Sequence, residues 1–311
     1  MLAAKLIKDQ GIEVIGVHFK IPFCKLDIRK SFPDIGISLL EFDLGADFLP
    51  LITNPRYGFG SNMNPCIDCK ILMFTKAREL LLKLKADFII TGEVLGQRPM
   101  SQNKQALKLI KQRSGLEDLL LRPLSAQFFS PSLAERKGWV RREKLLDFNG
   151  RMRTPQMQLA RRLGISKYAN PAGGCLLTDP CFSKRLAELL RHEELNLDNL
   201  ALLKTGRHFR IEKNSRLVVG RDESENKLLM QLTVPGDYLF FPQSDLAGPT
   251  ALARGSMNQE LINLSSQIIS AYSDNHGLKN MEIFYRHLPE SKDNLCRVDC
   301  LPKSKFVHLL I

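Results

Sequence analysis

One Trp and five Tyr stand beside 17 Phe in 311 residues, so broad aromatic binding surfaces are not a theme of this sequence. No apolar run approaches the ~20 residues that a membrane helix needs, and no membrane partner is expected. The basic-then-apolar pattern of a secretory leader is also missing, because Lys5, Lys8 and Asp9 interrupt the first segment. There is no internal repeat and no low-complexity stretch. A cytoplasmic protein is the expectation. Seven Cys without a secretion signal then argue against a disulfide scaffold and turn attention to metal binding or sulfur chemistry.

What is present is ordinary in bulk and uneven in distribution. The length suits two or three domains with real cores, and 44% hydrophobic with 25% charged residues is a soluble globular balance. The formal net charge is +12. From Arg98 to Lys167 there are 16 Lys and Arg against five Asp and Glu, and from Lys204 to Arg221 six basic residues against Glu212 alone. Charge gathered in this way suits a polyanion, since each neutralised phosphate releases counterions. A solvated basic surface gives the same pattern.

Periodicity predicts a helix over Leu2–Gln10, stopped by Gly11, and strands over Ile12–Phe19 and Ile37–Asp43. A Gly/Asn/Pro-rich loop, Asn54–Pro65, precedes a helix near Ile67–Lys85, with Ile71, Phe74, Ala77 and Leu81 close to helical spacing. The apolar run Ala86–Ile90 suits a buried parallel strand ending in Thr91-Gly92. Strands alternating with helices indicate an α/β doubly wound parallel sheet. Residues 126–203 read as a basic, mostly helical segment with Thr154-Pro155 starting one helix, and residues 204–311 as a smaller α+β domain.

Three cysteines in two loops carry the chemistry: Cys66 and Cys69 in Asn64-Pro-Cys-Ile-Asp-Cys69, and Cys175 in Pro171-Ala-Gly-Gly-Cys175. The C-x-x-C opens a helix, whose positive dipole end favours the thiolate. Packing as small hydrophobes is the alternative for these residues. It is the default for Cys24, Cys181, Cys296 and Cys300, and the spacing of the last two lacks a second ligand pair for zinc. Thr91-Gly92-Glu93, leading to Gln97, ends a strand where open α/β sheets bind ligands.

Thr91-Gly-Glu-Val-Leu-Gly-Gln97 followed by Leu121-Arg-Pro-Leu124 resembles the nucleotide-binding region of bacterial tRNA 4-thiouridine synthases. Asn64–Cys69 and Ala172-Gly-Gly-Cys175 resemble the two cysteine sites of tRNA 2-thiouridylases, with Cys69 at the first catalytic cysteine and Cys175 at the second. Lys204-Thr-Gly-Arg-His-Phe-Arg210, Val218-Val-Gly-Arg221 and Glu225-Asn226 resemble the RNA-binding domain known as NFACT-R. Together these motifs cover roughly residues 1 to 255.

The resemblance implies a PP-loop ATPase (HUP-type) domain over residues 1–125, with Thr91, Gly92, Glu93 and Gln97 at ATP and its Mg. It implies adenylation of a tRNA uridine and attack by a cysteine-held sulfur. Partners would be tRNA and a sulfur donor, such as a cysteine desulfurase or sulfur carrier. Arg141, Arg142, Arg151 and Arg153, with Arg207, His208 and Arg210 beyond, are the expected phosphate contacts. For the cysteines two mechanisms stay open. Cys69 and Cys175 act as a persulfide pair, or Cys66, Cys69 and Cys175 bind a [4Fe-4S] cluster. Both require Cys175 to approach Cys69, and the cluster alone requires Cys66 as well. The expectation is one compact group of three sulfurs with no fourth cysteine beside them. The family opens with a strand and a Ser-Gly-Gly-x-Asp-Ser loop that grips pyrophosphate, and Met1-Leu-Ala-Ala-Lys-Leu begins where that loop should have ended. The strands over Ile12–Phe19 and Phe88–Ile90 are therefore expected to stand apart, and ATP to bind poorly. A non-catalytic RNA-binding protein and sulfur transfer to a small molecule, as in thiamine biosynthesis, are the rival readings.

Overall fold

The computed structural model describes residues 1–24, 35–166, 168, 174–243, 246–274 and 277–311. They form two compact units, Met1–Thr178 and Asp179–Ile311. Among the described residues no helix is long and apolar enough to cross a membrane.

The first unit opens with helix α1 (Leu2–Lys8), which buries Ala3 and Ile7 one turn apart and is followed by Gly11 in the left-handed region, φ 84°. Strand β1 (Ile15–Lys20) starts three residues later than its apolar pattern and pairs in parallel with β2 (Ser38–Asp43). Two single-turn helices, α2 (Gly45–Phe48) and α3 (Pro50–Thr53), lead into the Gly/Asn/Pro-rich loop. Helix α4 (Cys66–Lys83) follows it directly.

Strand β3 (Ile89–Ile90) comes next, then α5 (Lys104–Arg113), whose first turn is held by Asn103 accepting from the Ala106 N–H at 2.8 Å. Strand β4 (Leu120–Leu121) pairs in parallel with β3. The short α6 (Leu133–Arg136) carries a Ser132–Glu135 capping box. Helix α7 (Thr154–Arg162) has Pro155 in its first turn, with Arg153 rather than Thr154 at the cap.

The expected single doubly wound sheet is not formed; the described residues give two separate two-stranded parallel ladders, β1-β2 and β3-β4. Among the described residues the Ile12–Phe19 and Phe88–Ile90 segments share no ladder, though Ile12, Val14, Phe88 and Ile90 pack on one core cluster. Lys20 C=O accepts from Leu44, so the backbone groups of Gly16, His18 and Lys20 face β2, and those of Val17 and Phe19 face away. On β3, the Ile89 and Thr91 N–H groups donate to Leu119 and Leu121, so those of Ile90 face away from β4. Both outward edges border one cavity of about 900 Å³. Its apolar wall is α4, through Met73, Phe74, Ala77, Leu80 and Leu81, and Asp68 is the only residue that α4 fully buries.

In the second unit, α8 (Pro180–His192) and α9 (Leu197–Leu202) are capped by Asp179 and Asn196. A six-stranded antiparallel sheet follows. Its strands are β5 (Arg207–Glu212), β6 (Ser215–Val219), β7 (Tyr238–Pro242), β8 (Ala251–Gly255), β9 (Asn280–His287) and β10 (Asn294–Asp299), in the order β10-β9-β7-β8-β6-β5. Helix α10 (Glu223–Gln231) enters between β6 and β7 in sequence, and α11 (Gln259–Tyr272) between β8 and β9. Ile262, Ile268 and Ile269 of α11 share one core with Phe209, Leu217, Phe240 and Ile283 of the sheet. A side chain at Gly206 would meet the Val219 carbonyl at 2.9 Å, and the residue sits at φ 74°, so the entry to β5 requires glycine twice over.

Candidate cysteine cavity and RNA-binding surface

Two cysteine loops are tied to one another in the first unit. Asp68, buried in the first turn of α4, accepts from the Arg56 and Tyr57 N–H groups, each at 3.1 Å, and so fixes the loop that leads to Cys66. At the loop's turn Asn62 takes φ 56°, a conformation Asn tolerates, and its Nδ2 donates to the Thr178 carbonyl at 2.9 Å. Thr178 Oγ1 in turn donates to the Cys175 carbonyl at 2.8 Å. Residues 106 positions apart in sequence thereby reach the same place: Cys66, Cys69 and Cys175 all line the cavity. Of the Pro171–Cys175 motif only Gly174 and Cys175 are described; Pro171, Ala172 and Gly173 lie outside the described residues.

A fourth thiol is there as well. Cys24 lines the same cavity and pairs directly with Cys175 in an antiparallel bridge, which corrects the expectation that no further cysteine stands beside the three. Nothing in its spacing marked Cys24; only the chain fold brings it in. Among the described residues no three His, Cys, Asp or Glu side chains converge to hold a metal ion.

Cys69 is not activated as its helix position suggested. Cys69 keeps some surface toward the cavity but is otherwise enclosed, and burial pushes its thiol well above the ordinary value, with Cys66 and Cys175 adding to the rise and Lys70 opposing it. Burial also pushes Cys175 up, to about 11, against a hydrogen bond from the Leu177 backbone. A helix terminus contributes about 0.3–1 kcal/mol, less than one pKa unit, whereas burial moves such groups by several units. Burial wins.

The expected nucleotide residues divide. Thr91 and Gly92 line the cavity. Glu93 does not reach it freely: its buried carboxylate takes Lys70 Nζ at 2.5 Å and Arg122 Nε at 2.9 Å, and this triad pins α4 to the strand ends. Gln97 is not among the cavity residues; its N–H closes a turn on Val94. Gly96, at φ 76°, lies against Asn149 and Gly150 and holds that turn in place. Lys70 and Arg98 are cavity cations that the sequence reading missed. The Arg98 guanidinium makes no hydrogen bond or ion pair among the described residues, its carbonyl alone accepting from the Gln102 N–H at 2.9 Å.

The expected phosphate contacts divide too. Arg141 and Arg151 are exposed. Arg142 is a correction: it pairs with Glu135 and donates to the Ala126 and Phe129 carbonyls, so its charge holds the fold. Arg153 is half-buried with no salt-bridge partner among the described residues, and its pKa is lowered by burial and by neighbouring Arg98. In the second unit His208 is buried, bonded to the Thr205 carbonyl, and held neutral by burial; it cannot meet phosphate and is corrected. Arg210 is corrected as well, being locked with Glu188 and Glu193 beside fully buried Arg216. Arg207 is half-buried and has no carboxylate partner among the described residues. Its Nη1 donates to the Gly220 carbonyl at 3.2 Å, and its guanidinium lies 4.8 Å from the Tyr272 ring, which also receives exposed Lys303 at 4.9 Å.

Residues 206–309 match the NFACT protein RNA binding domain, so the second unit carries an RNA-binding domain. No curated protein matches the chain. Among solved structures, the C-terminal part of the fibronectin/fibrinogen-binding protein of Streptococcus suis is similar at 14% identity. It covers 79% of this chain and 90% of that one, with a TM-score of 0.30.

Proposed function

We propose that this chain is a tRNA sulfurtransferase: it binds tRNA through its RNA-binding domain and basic surface, and passes sulfur from a cavity cysteine to a uridine. The observation that carries the reading is the convergence of two sequence-distant cysteine loops, hydrogen-bonded through Asn62 and Thr178, on one cavity in a chain with an RNA-binding domain. An RNA-binding protein without chemistry has no use for that convergence. Cys175 carries the sulfur as a persulfide taken from a desulfurase or sulfur-carrier protein. Arg98, which lines the cavity, and neighbouring Arg153, both without carboxylate partners among the described residues, hold phosphate.

ATP is the activating group of this reading, and what it supplies is a leaving group on the uridine oxygen. Thr91, Gly92 and Arg98 are the cavity residues that would meet it, since a guanidinium without a carboxylate partner among the described residues, in the cavity that the first turn of α4 also lines, suits a polyphosphate. A [4Fe-4S] cluster fits less well: thiols are the right donors, but no three converge among the described residues, and no step here depends on one.

The test is nucleoside mass spectrometry of total tRNA from cells lacking the gene and from cells given it back. One thiolated uridine should vanish on deletion and return with the wild-type chain but not with Cys175→Ser. An unchanged nucleoside profile on deletion would leave RNA binding as the whole function.

A further inference from the structure

The bridge between Cys24 and Cys175 has a definite register. Leu176 N–H donates to the Phe23 carbonyl at 2.8 Å, so the hydrogen bond flanks the cysteine pair instead of joining it. Cys24 and Cys175 therefore occupy a non-hydrogen-bonded antiparallel site, in which Cα atoms lie ~4.5 Å apart and the two side chains leave the ribbon on the same face. Disulfides span Cα separations of roughly 4.4–6.8 Å. Both residues line the cavity, so that face is the cavity face. Cys69 has no such relation to Cys175: it sits on α4, and its loop reaches the Cys175 loop through the side chain of Asn62.

We propose that Cys24 and Cys175 are a cross-strand dithiol that closes reversibly to a disulfide, and that Cys24 is the thiol that resolves a persulfide on Cys175. The second half rests on the sulfurtransferase reading; the first does not. In the resolving step the Cys24 thiolate, its proton lost to solvent, attacks Sγ of the Cys175 persulfide. The Cys24–Cys175 bond forms, the bond to the outer sulfur breaks, and that sulfur leaves with the bonding pair as hydrosulfide. The sulfane sulfur gains two electrons and the two cysteines lose them, so no oxidant enters. A dithiol reductant reopens the pair and leaves as its own disulfide. Hydrosulfide released inside the cavity is the nucleophile that an activated uridine requires.

The experiment uses the full chain. Fully reduced protein is treated with diamide, blocked with N-ethylmaleimide, digested and mapped by mass spectrometry. The Cys24 and Cys175 peptides should be joined in wild type and in Cys69→Ser. A dominant Cys69–Cys175 link, or Cys24 alkylated while Cys175 is oxidised, overturns the pairing, and the wild-type map needs no variant to fold. In the second arm, reduced protein is given glutathione persulfide and released sulfide is measured. Wild type should release it at once, while Cys24→Ser and Cys24→Ala, checked for folding by circular dichroism, should retain the Cys175 persulfide and release sulfide at least about tenfold more slowly. Release at the wild-type rate overturns the resolving role. A chain that closes the disulfide and releases sulfide but never modifies tRNA defeats the sulfurtransferase reading alone. Thiolation by Cys24→Ser at the wild-type rate defeats this inference alone.

Discussion

At the scale of single residues, burial decides which side chains are reagents and which are fittings. Cys175 holds its proton to about 11. Its alkylation by iodoacetamide in metal-free protein should keep rising with pH past 10, instead of levelling near the ordinary thiol value of about 8.5. The sign for stability follows: the folded state binds this proton more tightly than the unfolded chain, so the contribution is full below about 8.5 and is lost as pH rises toward about 11. Chemical denaturation across that range should show wild type losing stability faster than Cys175→Ser. Glu93 is a fitting of the opposite sort. Glu93→Gln strands Lys70 and Arg122, two cations already withdrawn from water, and should cost about 3–5 kcal/mol in thermal or urea unfolding. If that variant instead unfolds like wild type and loses only nucleotide affinity, Glu93 is a ligand after all.

At the scale of elements, the sequence was legible where a pattern is local. The helix after Pro65, the parallel strands and the apolar run before Thr91 all appear close to where periodicity put them. The sheet was not legible, because which edges pair depends on what lies between β1 and β3, and no window of sequence holds that information. The partner of Cys175 was hidden for the same reason: Cys24 is its neighbour only across an isolated bridge. His208 and Arg210 misled because a basic motif reads alike whether its residues face solvent, are buried as His208 is, or close on Glu188 and Glu193 as Arg210 does.

The link between the two cysteine loops offers the sharpest element-scale check. Asn62→Gly keeps the left-handed turn and removes the bond to Thr178; Asn62→Ala removes both. Both should slow diamide closure of any bond between α4 and the Cys175 loop and leave the Cys24–Cys175 closure rate within about twofold of wild type. Asn62→Ala should be less stable than Asn62→Gly, by about 1 kcal/mol, from the strain of φ 56°. Equal stability of the two would remove the turn from the account.

At the scale of the whole molecule, a net charge of +12 and an RNA-binding domain make salt dependence the natural probe. Arg207→Gln with Lys303→Gln should weaken tRNA binding and reduce the slope of log affinity against log salt by about 2, one for each phosphate contact. Arg210→Gln should leave that slope alone and lower the unfolding midpoint, because its charge holds Glu188 and Glu193. An unchanged slope in the double variant, with a reduced one for Arg210→Gln, would reverse these assignments.

The central claim is that the cavity thiols deliver sulfur to RNA. It is tested most directly by incubating the purified full chain with tRNA, ATP with magnesium, and a donor carrying radioactive sulfane sulfur. After a denaturing wash, the label remaining on the RNA is counted. Wild type should leave label on tRNA in a nucleoside that co-migrates with a thiouridine, and Cys175→Ser should leave none. Label that accumulates on the protein and never on the RNA, or that reaches the RNA equally well in Cys175→Ser, would contradict the account.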